Sequence, residues 1–267
     1  MTNVEDAPPA LVKVERKAGY HIIRMWRPEK RNAMNREARR ALLVAFEEAA
    51  EAGARAVILT GAERSFCSGI DLAERSREQA ANAAPDTQSD WIEVVMAIRN
   101  HPAVFIAAVN GVAMGGGATL INVSDLAIAS EDAWVSNPEM GFGAFPLFAG
   151  PSSQYQMLPK HVAWLVYTTE RIDGRTAANW GLVNECVPPD SLLFRAEELA
   201  TKIAAFDPVA LTESKRALDT TPGMAREWRA AFEHGIGVNE RILAQSTAQQ
   251  AGLGRFAAGE RNPGQGQ

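Results

Sequence analysis

The stretch Ala103-Val104-Phe105-Ile106-Ala107-Ala108-Val109, continued by Asn110-Gly111-Val112-Ala113-Met114-Gly115-Gly116-Gly117-Ala118-Thr119-Leu120, decides how the chain is read. An unbroken apolar run of this length is a strand buried on both faces. The three glycines after it carry no Cβ, so another group can approach the backbone closely. Thr119-Leu120-Ile121-Asn122-Val123 then has the apolar spacing of a packed helix at its start. Such a helix directs its free N–H groups and the positive end of its dipole into the glycine turn. The turn therefore suits a phosphate or a developing oxyanion, and tight packing alone would also explain it.

A second stretch repeats the pattern. Ala56-Val57-Ile58-Leu59-Thr60-Gly61 is another buried strand, and it runs into Arg64-Ser65-Phe66-Cys67-Ser68-Gly69-Ile70-Asp71-Leu72. Asn32-Ala33-Met34-Asn35 precedes this pair, and Ser124-Asp125-Leu126-Ala127-Ile128-Ala129 and Gly181-Leu182-Val183-Asn184-Glu185 follow it. Five motifs in this order resemble the enoyl-CoA hydratase/isomerase (crotonase) family, over residues 11–215. The resemblance implies an α/β fold, a crotonase-like spiral of repeated β-β-α units in two packed sheets with a C-terminal α-helical lobe. It assigns residues 11–195 to the spiral core and 196–258 to a lobe used in oligomerisation; 1–10, with Ala7-Pro8-Pro9, and 259–267 read from their composition as disordered tails. It also implies an acyl-CoA thioester substrate, a homotrimer or dimer of trimers, and no cofactor beyond the coenzyme A of the substrate.

Composition sets outer limits. A chain of 267 residues, 46% hydrophobic, can build one large core. The net charge of -5 argues against nucleic acid as the main partner. Cys67 and Cys186 make no disulfide framework and no metal-ligand spacing, and read as small buried side chains of a reducing, cytoplasmic setting. No metal site is expected. No apolar run approaches the roughly 18 residues of a membrane span, and the first residues do not form a signal peptide.

Along the chain, residues 11–15 and 20–25 read as a hairpin, with His21 on a surface or cross-strand position. Arg27-Pro28-Glu29-Lys30-Arg31 is a basic loop. Asn35 caps a helix whose apolar face is Ala38, Ala41, Leu42, Ala45, Phe46 and Ala49, ended by Gly53. Residues 73–90 read as a mobile lid or irregular helix, 91–99 as a helix, and His101 and Asp125 as structural groups. Residues 141–151 suggest a pocket wall, and 152–158 a helix restart. Residues 169–177 read as a turn and helix start, 181–187 as a strand, and helices follow over 192–199, 208–218 and 224–243. Gly252, Gly254 and Gly259 suggest poor order.

Chemistry at the α or β carbon of a CoA thioester pushes negative charge onto the thioester oxygen. Two aimed backbone N–H donors stabilise it, and losing one costs about 3 kcal/mol. The resemblance assigns these donors to Ile70 and Gly116. It assigns the coenzyme to Ser68, Asp71 and Leu72 and to the loop carrying Arg27 and Lys30. Family members that hydrate an unactivated double bond usually carry two glutamates. Glu139 matches the second, whereas Thr119 stands at the first, and a threonine hydroxyl cannot act as a base near neutral pH. One carboxylate still suffices for double-bond isomerisation or for hydration of an activated thioester. Hydroxycinnamoyl-CoA hydratase-lyases resemble the chain in this respect. Leu147 and Phe148 add bulk where many members are glycine-rich, which implies a differently shaped acyl pocket. The competing reading is a catalytically weak or silent acyl-CoA binder.

Overall fold

The computed structural model describes residues 10–80, 86–224 and 240–247, with residues 251 and 258. The tails expected over 1–10 and 259–267 fall outside these, residue 10 apart, as do Gly252, Gly254 and Gly259 and most of the helix expected over 224–243.

The chain opens with an antiparallel hairpin, β1 (Val12–Lys17) and β2 (Tyr20–Met25), in which Val12 lies opposite Met25. Next comes α1 (Arg36–Glu51). The Asn35 side chain accepts the Ala38 N–H, and Ala38, Leu42, Ala45, Phe46 and Ala49 form the buried face. The following strand, β3 (Ala56–Gly61), pairs parallel with β2, a β-α-β crossover.

From here one unit recurs. The first turn is β3, β4 (Ser65–Cys67) and the helices α2 (Leu72–Ala80) and α3 (Asp86–Asn100). The second is β5 (Val104–Val109), β6 (Val112–Met114) and α4 (Gly116–Val123). The third is β7 (Leu126–Ser130), β8 (Trp134–Ser136) and the helices α5 (Ala149–Ser153) and α6 (Pro159–Thr168). Then β9 (Ile172–Asp173), α7 (Gly174–Asn179) and β10 (Glu185–Val187) close the spiral, and α8 (Leu192–Ala204) and α9 (Pro208–Met224) follow.

In each turn the first strand enters a six-stranded sheet of order β1-β2-β3-β5-β7-β10, and the second enters a four-stranded sheet of order β4-β6-β8-β9. The pairs β3–β5 and β5–β7 are parallel, as are β4–β6 and β6–β8. This is the β-β-α spiral in two sheets that the motifs imply. The main core includes Leu59, Phe66, Phe105, Ala113 and Val135. A second core packs Ile22, Ile58, Ile106 and Ile128 of the larger sheet beneath Leu192, Ala196 and Ala200 of α8.

Several expectations change. The boundary expected after residue 195 falls inside α8, whose apolar face belongs to the sheet. Residues 73–80 and 86–90, read as a mobile lid or an irregular helix, are regular helix. Glu74 of α2 and Asp90 of α3 both pair with the fully buried Arg39 of α1, at 3.2 and 3.4 Å. The helix expected at 152–158 divides into α5 and α6, with turns between them. Pro159 stands at the first helical position of α6, where its missing N–H does no harm. His21 is buried because β2 has neighbours on both sides, although it does face Arg16 across the hairpin. His101 and Asp125 are structural as expected: the His101 ring lies 2.9 Å from the Phe46 carbonyl, and Asp125 accepts the Phe105 N–H at 2.8 Å.

Candidate active site

Three neighbouring parallel strands of the small sheet end at one place. Ile70 lies just past β4, Gly116 just past β6 and Glu139 just past β8. In parallel sheets the carboxyl ends of the strands are where ligands bind. All three residues line one cavity of about 350 Å³.

The glycines are needed for contact as much as for conformation. A Cβ on Gly117 would lie 2.0 Å from the Cys67 carbonyl oxygen, and one on Gly116 would lie 2.7 Å from Cζ2 of Trp91. Gly69, at φ +91°, brings its own Cα against the Met114 carbonyl and the Gly116 nitrogen. The turns after β4 and β6 are thus packed backbone to backbone. The Gly116 N–H heads α4 and has no helical acceptor. Ile70 forms an isolated parallel bridge with Met34, through Met34 N–H to the Gly69 carbonyl (2.8 Å) and Asp71 N–H to the Met34 carbonyl (3.2 Å). That pattern directs the Ile70 N–H away from Met34. Among the described residues neither N–H has an acceptor.

Glu139 is held against Gly115. A Cβ there would lie 2.6 Å from its Oε1, and Gly115 has φ +49° and ψ −106°, a conformation that suits glycine. The Glu139 Oε2 is buried without a hydrogen-bond partner. Burial pushes its carboxyl above the ordinary value of 4.5, against a smaller opposing effect of its own backbone N–H. Trp134, on β8, stacks under Arg171, 4.0 Å from the ring centroid. Thr119 is buried on the same wall, and its hydroxyl donates to the Gly115 carbonyl at 3.2 Å. Among the described residues that line the cavity, Glu139 is the sole carboxylate.

Ser68 and Leu72 also line the cavity, and Leu147 and Phe148 close it. Arg27, Lys30 and Asp71 stand outside the wall. The Arg27 guanidinium pairs with Asp71 at 3.0 Å and donates to the Ala33 carbonyl at 2.5 Å, which leaves it a bracket between two loops. Asp71 also caps α2, accepting from the N–H groups of Ala73 and Glu74. Burial alone would raise its carboxyl, but the Glu74 N–H and Arg27 outweigh this and hold it below the usual range. Lys30 is exposed, and its carbonyl accepts the Ser68 hydroxyl at 3.2 Å. The basic loop and the cavity turn are therefore adjacent, as the resemblance requires, but Arg27 serves the frame.

The sequence reading missed four contributors. Asn32, fully buried with φ +56°, bonds the Arg27 N–H and the carbonyls of Ala62 and Ser65. An asparagine beside a proline turn was its signal, since asparagine tolerates left-handed backbone. Gly115, Arg75 and Trp91 carried no signal that separates them from packing residues.

Fold and site can both be set beside known proteins. The sequence model of the enoyl-CoA hydratase/isomerase family matches residues 15–262, and the chain belongs to that family. It is 32% identical over 226 residues to a short-chain-enoyl-CoA hydratase of Clostridium acetobutylicum, covering 83% of this chain and 86% of that one. It is 31% identical over 245 residues to a 2,3-dehydroadipyl-CoA hydratase of Escherichia coli, covering 91% and 94%. The crystal structure of an enoyl-CoA hydratase from Bacillus anthracis superposes with a TM-score of 0.84 at 28% identity, over 93% of this chain and 96% of that one.

Proposed function

We propose that the chain processes an acyl-CoA thioester by stabilising its enolate between the N–H groups of Ile70 and Gly116, with Glu139 alone moving the proton. One observation carries this reading: the two unpartnered N–H groups and a buried, unpaired carboxylate share one cavity at the ends of β4, β6 and β8.

With the thioester oxygen between the donors, charge that develops there meets rigid dipoles in a site with little water, worth about 3 kcal/mol per donor. Glu139, ionised, takes a proton from carbon or from an attacking water and returns it to carbon. A carboxyl raised by burial suits both directions of transfer near neutral pH. Only protons and electron pairs move, so the steps call for no metal or redox group. Thr119 offers a hydroxyl oxygen and no second base, and its hydrogen is held by the Gly115 carbonyl. Double-bond isomerisation and hydration of an activated enoyl thioester, including hydratase-lyase chemistry, fit one carboxylate. Unactivated two-acid hydration fits poorly. A silent acyl-CoA binder is disfavoured, because an unpaired buried carboxylate costs stability and serves no packing purpose.

Exposed Lys30 and Arg31 beside Ser68 are the cations suited to the coenzyme phosphates. Exposed Tyr155, Trp164, Tyr167 and Phe194 offer apolar surface for the homotrimer, or dimer of trimers, that the family resemblance implies. A cytoplasmic location rests on the cysteine usage alone. The test is incubation with a panel of enoyl-CoA and hydroxycinnamoyl-CoA thioesters, with products identified by mass. Turnover of at least one member, abolished in Glu139→Gln, is the expected result. No product from any member, with the thioesters bound, would favour the silent binder.

A further inference from the structure

We propose that Trp91 is a positioning residue for the Gly116 donor, its indole edge fixing the turn that aims this N–H into the cavity. The inference rests on the acyl-CoA reading of the cavity and adds a residue to its donor machinery.

The turn Gly115-Gly116-Gly117 has no side chains of its own, and glycine has more backbone freedom than any other residue. A donor that lowers a barrier must nevertheless be rigid before charge develops. What holds the turn therefore has to come from its neighbours. Gly115 rests against the Glu139 carboxylate and Gly117 against the Cys67 carbonyl. For Gly116 the neighbour is Trp91 of α3: a Cβ on Gly116 would lie 2.7 Å from Cζ2 and 3.2 Å from Cη2 of the indole. The Gly69 Cα lies 3.2 Å from the same point, so the indole edge and both donor turns meet at one place.

Trp91 is itself anchored. It is fully buried in the main core with Val94 and Ile98 of the same helix. The preceding residue, Asp90, pairs with Arg36 and with the fully buried Arg39 of α1, at 3.2 and 3.4 Å. The indole Nε1–H has no partner among the described residues, so packing alone holds the ring and a substitution removes no hydrogen bond. Of the three groups that press on the turn, the Cys67 carbonyl is backbone and Glu139 is the acid/base. Trp91 is the one that mutation can remove while both stay in place.

The test combines kinetics with isotope-edited infrared spectroscopy of a saturated acyl-CoA labelled at its thioester carbonyl. Donors on that oxygen lower its stretching frequency, so the bound ligand reports donor placement without turnover. Trp91→Leu removes the indole edge, and Trp91→Phe is the milder change should the leucine variant fail to fold. In a folded variant the frequency shift should fall below about half that of wild type and kcat by about tenfold or more, the scale of a donor displaced rather than lost. Affinity for the saturated ligand should stay within about threefold, because the donor matters most once charge has developed. Gly116→Ala keeps the N–H but drives a Cβ into the indole; it should lower kcat, and lower it less when combined with Trp91→Phe, whose shorter ring makes room. A folded Trp91 variant with the wild-type frequency shift and kcat would overturn the proposal. So would a variant that loses affinity with the shift intact, because Trp91, which also lines the cavity, would then hold the acyl group directly. A wild-type complex with no shift at all would refute the donor placement itself, and the inference would fall with it.

Discussion

Gly115→Ala puts the account of the site under direct strain. The new Cβ would lie 2.6 Å from Glu139 Oε1, whereas ordinary contact begins near 3.4 Å, so the carboxylate must retreat by about 0.8 Å. It can do so, because the obstructing atom is the end of a flexible side chain. The backbone at φ +49° and ψ −106° adds strain of about 1–3 kcal/mol. The variant should therefore fold, with reduced stability, and hold its acid/base in the wrong place. Misplacement on the order of 1 Å costs roughly a hundredfold in turnover. The assay is kcat and KM on the best thioester, beside urea unfolding. Gly53→Ala is the control for strain alone: φ is +66° and no atom lies within 4 Å of the added Cβ, so stability falls and turnover does not. Gly117→Ala is the opposite control, since its Cβ would meet the Cys67 carbonyl at 2.0 Å, where backbone cannot yield. A folded Gly115→Ala enzyme with turnover within about threefold of wild type would refute the placement of Glu139.

Other outcomes follow from the same geometry. The Glu139 carboxyl is raised in the folded state, so its contribution to stability is complete below the ordinary value of 4.5 and lost as pH rises through the folded value. Glu139→Gln should therefore unfold at higher urea than wild type at neutral pH, with the gap closing in acid; a gap that widens in acid would contradict the burial argument. Thr119→Glu should raise crotonyl-CoA hydration above the wild-type rate by restoring two carboxylates, at some cost in stability because position 119 is buried. Unchanged or lower hydration by a folded variant would count against the one-acid account. Arg39→Met should destabilise the fold by about 3 kcal/mol in urea titrations, because Glu74 and Asp90 lose a buried partner. A change under about 0.5 kcal/mol would show that Arg36 alone holds both carboxylates.

Much of the fold is legible in the sequence because its signals are local. The apolar run of β5, the glycines after it, and Asn35 ahead of α1 each act on near neighbours, and each is found as read. The spiral itself is not local, and only the order of five motifs pointed to it. What escaped the reading depends on residues far apart in the chain. Arg27 looks like a free loop cation until Asp71 is brought to 3.0 Å. Gly115 looks like one permissive glycine among three until Glu139 is packed on its Cα. His21 looks exposed until β3 covers the open edge of β2. Helix α2 and the first turn of α3 are mostly polar, and Glu74 and Asp90 tie them to buried Arg39, while the rest of α3 packs Trp91, Val94 and Ile98 into the core.

The central claim is that one carboxylate, Glu139, carries the proton transfer. It is tested most directly by comparing kcat of Glu139→Gln with wild type on the best thioester, and the affinity of both for an unreactive acyl-CoA. The account predicts a fall in kcat of about a thousandfold, with affinity unchanged within about threefold. A Glu139→Gln enzyme that keeps more than about a tenth of wild-type turnover would contradict it, whatever its stability.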